Sequence, residues 1–226
     1  MERAELLDQV ATALAARDPG HPLRVGVDGV CGAGKTTFAA ELAARLAKTE
    51  RPVIHLDPDG FHNVRKIRYQ RGRDSARGYY EDAFDFASLR RLTLEPLGPG
   101  GDLRYAAHVH DLATDEVEPR FAVAPRNAIV VFDETFLQRD ELRACWDEVI
   151  FLDVPRRRAV ERGVRRDSER LGGDDAARDA YERRYMAACD IYLTEQNPRA
   201  RASIVIDNDD PQHPQLLLVR TGDAAN

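Results

Sequence analysis

The run Gly29, Val30, Cys31, Gly32, Ala33, Gly34, Lys35, Thr36 fills the spacing G-x-x-x-x-G-K-[ST]. Each position has a task toward a polyphosphate. The glycines let successive backbone N–H groups curl around a phosphate, the Lys35 ammonium reaches the β and γ phosphates, and the Thr36 hydroxyl ligates Mg²⁺. Gly29, Gly32, Ala33, Gly34, Lys35, Thr36 and Thr37 are therefore the expected contacts of a nucleoside triphosphate. A second group, HLDPDGFHNVR, sets Asp57, Asp59 and His62 directly after an apolar run. In phosphoryl transfer a carboxylate beside an acceptor hydroxyl takes its proton, and another acid anchors Mg²⁺ through water. Asp59 is the candidate base and Asp57 a candidate for the metal, although Asp-Pro-Asp-Gly is also an ordinary turn sequence. A third group is the run AIVVF ending in Asp133 and Glu134, an apolar strand followed by acid, where either carboxylate can serve the metal.

Arginines make the fourth group. Residues 156–170 (RRRAVERGVRRDSER) hold Arg156, Arg157, Arg158, Arg162, Arg165, Arg166 and Arg170, followed by Gly172 and Gly173. Guanidinium forks match phosphate oxygens, and a helix ending in Gly-Gly is suited to a lid that excludes water. Glu161, Asp167 and Glu169 offer any one of these arginines a plain surface ion pair instead. The basic stretch 65–77 (RKIRYQRGRDSAR) reads as an anion-attracting loop rather than a nucleic-acid surface, since only Tyr69 interleaves it. His108 and His110 lack the companions of a metal site and suit substrate hydrogen bonding or surface exposure.

These groups need elements to hold them. Residues 23–28 (LRVGVD) read as a buried strand and 36–47 as an Ala/Leu-rich helix, the strand-loop-helix setting that a phosphate loop requires. Short apolar runs at 52–56, 128–132, 148–154 and 203–206 complete five strands, their continuous apolarity indicating cover on both faces. Separation by helical stretches predicts a mostly parallel sheet with ligands at the carboxyl strand ends. An amphipathic helix is predicted over 2–17, a small β insertion able to cover a substrate over about 97–119, and a loose tail after Asp207.

The chain has 226 residues, 43% hydrophobic and 32% charged, with a net charge of −6. That length suits one α/β domain over 1–226, and the acidic balance argues against nucleic acid as a partner. No apolar run approaches a membrane span and residues 1–10 lack a leader's layout, so a cytoplasmic location without membrane association is expected. Three cysteines without C-x-x-C spacing suggest neither a disulfide framework nor zinc.

Taken together the segments resemble the uridine kinase group of P-loop kinases, with phosphoribulokinase, pantothenate kinase and nicotinamide riboside kinase, over about residues 23–208. The element Asp59, Gly60, Phe61, His62 matches the group's Asp-x-Phe-[His/Tyr], which implies Asp59 as the proton acceptor and Phe61 and His62 as substrate contacts. Residues 81–85 (EDAFD) look like its P-D-A-F-D, Tyr105 and His110 keep its Tyr-x4-His spacing for a pyrimidine nucleoside, and Glu134 matches the acid ending its Walker B-like strand. Arg166 and Asp167 match its lid pair, with Arg162 and Arg170 nearby for nucleotide. Tyr79 stands where uridine kinases place a sugar-binding Asp, and Ala106 and Ala107 replace an aromatic neighbour. The resemblance implies a P-loop NTPase three-layer sandwich of five strands with a small β insertion and a helical lid over about 156–185. It further implies ATP as donor, Mg²⁺, catalysis by Asp59, Lys35 and Arg166, and a nucleoside-like acceptor such as uridine or cytidine. Pantothenate, nicotinamide riboside, a sugar phosphate or an antibiotic hydroxyl would use the same machinery, while an NTP-driven switch would need no acceptor. Relatives of this kind include homo-oligomers.

Overall fold

In the computed structural model, which describes residues 1–220, the predicted first helix is α1 (Arg3–Ala15). It turns Leu6, Val10 and Leu14, one helical face at i, i+4 and i+8, into the core. Eight strands follow among the described residues: β1 (Leu23–Gly29), β2 (Val53–Leu56), β3 (Arg104–His110), β4 (Val117–Val123), β5 (Ile129–Asp133), β6 (Glu148–Asp153), β7 (Ile204–Asp207) and β8 (Gln215–Val219). Six of them form one sheet in the order β2-β5-β1-β6-β7-β8, parallel except for β8. β1 and β5 are buried at every position, the double cover that their unbroken apolar sequences demand.

The sheet departs from the five strands expected. β8 lies in the tail predicted to be loose, where it pairs antiparallel with β7 and packs Leu216 and Leu218 against the core. Its alternating exposure is that of an edge strand, a weak signal inside an Asp- and Pro-rich segment. Residues 221–226 of that tail lie outside the described residues. The β insertion also runs past its expected end, because β4 continues to Val123 through Pro119. Proline is tolerated in an exposed edge strand, and the Arg104 guanidinium stacking 4.0 Å above the Phe121 ring adds cross-strand cover.

Helices α2 (Lys35–Leu46), α3 (Arg65–Arg68), α4 (Ala76–Asp82), α5 (Phe86–Leu89) and α6 (Asp140–Arg143) link the first half of the fold. The lid segment contains α7 (Arg156–Leu171), α8 (Asp174–Ala180) and a wide turn, Tyr181–Met186, leading into α9 (Ala187–Gln196) and α10 (Pro198–Arg201). α7 stops at Gly172, whose φ of +91° is the left-handed conformation that closes helices. Within α7, Gly163 accepts the Tyr181 ring so closely that a Cβ there would lie 2.0 Å from it.

One consequence of this strand order governs the rest of the molecule. β5 pairs with β2 on one side and β1 on the other, so the carboxyl ends of three neighbouring strands converge. β1 carries the glycine-rich loop, β2 Asp57 and β5 the Asp133–Glu134 pair.

Candidate active site

The loop after β1 bends over the first turn of α2. Gly34 has φ +92° at the helix start, and Gly32, with φ +81°, backs onto α7 so tightly that a Cβ would lie 2.2 Å from the Ala159 carbonyl. Beneath the loop the buried Asp28 carboxylate accepts from the Gly29 N–H at 2.8 Å, from Gln138 Nε2 at 3.0 Å and from the Tyr192 hydroxyl. Burial holds Asp28 above its ordinary pKa. Lys35, itself buried, donates to the Thr135 hydroxyl at 2.8 Å and to the Val30 carbonyl at 3.1 Å.

Asp57 starts a tight turn, Pro58–Phe61, by accepting the Asp59 N–H at 3.0 Å. That turn is held by Phe61, fully buried and edge-on to Phe132 at 5.6 Å, and by β3, since a Cβ on Gly60 would meet the His108 ring at 2.7 Å. The Asp59 carboxyl is left exposed, with burial of part of its surroundings and then Asp57 and Asp133 raising its pKa. Burial, then Arg68, pushes His62 down to about 4, so its ring is neutral at pH 7. Asp133 meets His55 Nε2 at 3.1 Å through one oxygen, while its other buried oxygen has no partner. Burial pushes Glu134 up to about 8 against the opposing pull of Lys35.

These carboxylates and Thr36 border one cavity of about 540 Å³, which Arg166, Asp167 and Arg170 close from the α7 side. Arg166 grips Asp167 through two hydrogen bonds of 3.1 and 3.0 Å, and the Tyr181 hydroxyl donates to the same carboxylate at 2.7 Å. The hydrogen bonds to Asp167 hold Arg166 firmly protonated. The donor set fits Mg²⁺: hard oxygens from Thr36, Asp57, Asp133 and Glu134, one of them orphaned and buried. Among the described residues no three His, Cys, Asp or Glu are grouped to hold an ion, and Mg²⁺ characteristically takes one or two protein oxygens with water and phosphate completing its shell.

Of the residues singled out from sequence, Gly32, Lys35, Thr36, Asp57, Asp59, His62, Tyr79, Glu134, Arg166 and Arg170 line this cavity. Gly29, Ala33, Gly34 and Thr37 belong to the loop and first turn behind it. Four expectations place side chains elsewhere. Phe61 anchors its turn from the core, and Tyr105 is buried in β3. His110 is engaged with Asp115 at 3.2 Å, where Asp115 also accepts from the Arg65 N–H at 2.9 Å. Arg162 donates to the carbonyls of Asn208 at 3.0 Å and Asp209 at 2.6 Å, tying α7 to the segment after β7. Only Leu112 of the β insertion reaches the cavity lining. Unanticipated there are Cys31, Thr135, Tyr181, Arg184 and Tyr185. Arg68 and Tyr69 had a signal in the basic stretch, whereas YERRYM belongs to no recognisable motif.

No family model matches the chain. It is 27% identical over 155 residues to a uridine kinase of Leuconostoc citreum, covering 67% of this chain and 71% of that protein. It is 29% identical over 210 residues to a dephospho-CoA kinase of Deinococcus radiodurans, covering 87% and 89%. Among solved structures, a possible uridine kinase from Bacillus stearothermophilus superposes with a TM-score of 0.71 at 24% identity, over 91% of this chain and 99% of that one. The fold is that of P-loop kinases, and the sequence relatives are kinases of that type.

Proposed function

We propose that this uridine kinase-like P-loop kinase moves the γ-phosphoryl of ATP to a hydroxyl of a small-molecule acceptor, with Asp59 as the base. The observation carrying this reading is that Lys35, Asp59 and Arg166 meet in one cavity at three adjacent strand ends. Thr36 with Asp57, Asp133 or Glu134 would hold Mg²⁺, which when bound neutralises phosphate charge. Loop amides and the Lys35 ammonium then bind the β and γ phosphates, the ammonium exchanging Thr135 for a phosphate oxygen. The acceptor oxygen forms a bond to the γ-phosphorus as the bond to the β–γ bridging oxygen breaks, ADP leaves, and the hydroxyl proton passes to Asp59. Arg166 and Arg170 stabilise the charge on the transferring group, and the Tyr79, Tyr181 and Tyr185 rings exclude water that would hydrolyse it.

ADP release by the purified protein with Mg²⁺ and ATP, measured across uridine, cytidine, other nucleosides, nicotinamide riboside, pantothenate and a sugar phosphate, tests the reading. Release is expected only with an acceptor. Asp59→Asn is expected to lower transfer about 10²–10⁴-fold while ATP binding persists, the usual size of a lost general base. Acceptor-independent hydrolysis indifferent to Asp59→Asn would instead mark a nucleotide-driven switch.

A further inference from the structure

Besides the metal-side carboxylates, the cavity lining holds two cations, Arg68 and Arg184, that the transfer chemistry above does not use. Arg68 and Arg184 come from separate elements, α3 and the Tyr181–Met186 turn, yet each places its guanidinium 5.4 Å from the centre of the same Tyr69 ring. Arg184 also lies 5.1 Å from the Tyr79 ring and 5.3 Å from Tyr185. Among the described residues it has no carboxylate within ion-pair distance, and its buried Nε has no hydrogen-bond partner. The Arg68 side chain is only 10% exposed, and its Nε is likewise orphaned. Its single ion-pair contact, 3.4 Å to Asp115, is long and shared with the Arg65 N–H and His110.

Arg73 lies over the same ring at 4.5 Å but outside the cavity lining, and three like charges around one ring, two of them with a buried donor unmet, are an incomplete arrangement. Cation–π contact offsets part of the desolvation of a guanidinium, but a buried N–H without an acceptor keeps its full cost. Neither arginine is needed for the donor phosphates, which the loop, Lys35, Arg166 and Arg170 serve. Arg68 ends α3, the helix that follows the turn bearing Asp59, and it lines the same cavity as Asp59, His62 and Arg184, so these cations share the acceptor base's space.

Resting on the kinase reading above, we infer that the acceptor carries an anionic group, phosphate or carboxylate, which docks between Arg68 and Arg184 while its hydroxyl faces Asp59. Guanidinium forks supply paired N–H donors to either oxyanion, and the tyrosine rings hold both forks in place before the ligand arrives. An uncharged nucleoside leaves both forks unmet and is a poor acceptor.

The test titrates inorganic phosphate, and separately acetate, into the full-length protein saturated with ADP and Mg²⁺, following heat of binding. Phosphate or acetate is expected to bind beside ADP, with affinity reduced about 10- to 100-fold in Arg68→Met and in Arg184→Met, the cost of losing charge-assisted hydrogen bonds. Arg184→Lys, which keeps the charge, is expected to recover part of it. Binding of phosphate without acetate assigns a phosphate-bearing acceptor, and binding of both a site open to carboxylates. Unchanged affinity in both variants, or no anion binding beside ADP, overturns the inference, as does turnover of uridine at equal rates in wild type and both variants. Unaltered ADP affinity certifies that the variants fold, and Arg68→Met carries the comparison if Arg184→Met does not. Failure of ADP to bind any form would count against the kinase reading, and the phosphate titration without ADP would still decide the anion site.

Discussion

At the residue scale the site is a balance of charges set by burial. Partial burial, then the neighbouring Asp57 and Asp133, push the Asp59 pKa above the ordinary value, while Arg68 opposes them. A base works only when deprotonated, so kcat/KM is expected to rise with pH through an acid limb displaced above the usual carboxylate range, and a pH–rate profile checks this. Cys31 is the second residue with a readable state. Its thiol lies 3.8 Å from the Tyr79 and Thr135 hydroxyls. A hydrogen bond from the Cys189 thiol is the largest cause pulling it down to about 6, against burial and with help from Lys35. Cys145 and Cys189 are both raised. Iodoacetamide is therefore expected to modify Cys31 first, with a rate that rises through about pH 6 and falls when ATP fills the cavity, as peptide mass mapping would record. Equal labelling of the three cysteines would contradict that picture.

At the element scale the lid depends on a fit between two helical segments. Gly163 of α7 leaves room for the Tyr181 ring, and the Tyr181 hydroxyl in turn holds Asp167 beside Arg166. Gly163→Ala puts a methyl into that ring and is expected to cost about 1–3 kcal/mol in urea unfolding, typical of an overpacked core. It should also raise the KM for ATP, because Arg166 loses the partner that fixes its fork; a variant with lowered stability but unchanged KM would separate the lid's packing from nucleotide binding. The same scale explains two departures from the sequence reading. β8 and the far end of β4 are exposed edge strands, whose side chains alternate or carry proline, and such segments show little apolar patterning.

At the scale of the whole molecule, the sheet is tied to its surroundings through a partly buried ion pair. The guanidinium of Arg24, at the start of β1, donates two hydrogen bonds to Asp147 at 3.0 and 2.8 Å and another to the Leu94 carbonyl at 3.1 Å. Three segments distant in sequence thus meet at the end of the sheet opposite the cavity. Arg24→Met removes the guanidinium but leaves Asp147 the backbone N–H of residue 24 at 2.8 Å and His21 Nε2 at 3.8 Å, so it is expected to lower stability by about 1–3 kcal/mol in denaturant titration, with turnover per folded molecule unchanged. Among the described residues no helix is long and apolar enough to cross a membrane.

The sequence by itself determined the strand-loop-helix bearing Lys35 and Thr36, the acidic strand ends at Asp57 and Asp133–Glu134, and the arginine-rich α7. Those features are local: apolar runs make strands, glycines make the loop, and each reactive residue lies within a few positions of the element that carries it. What tertiary structure alone decided is which side chains share the cavity. Tyr105, His110 and Arg162 have suggestive spacing, yet the hairpin's own turn and the segment after β7 engage the latter two, and Tyr105 packs in the core. Arg184, Tyr181 and Tyr185 follow no motif and reach the site because Gly163 lets their segment close against α7. A phosphate loop requires consecutive residues and is therefore written in one stretch of chain, whereas an acceptor pocket is assembled from distant segments by packing.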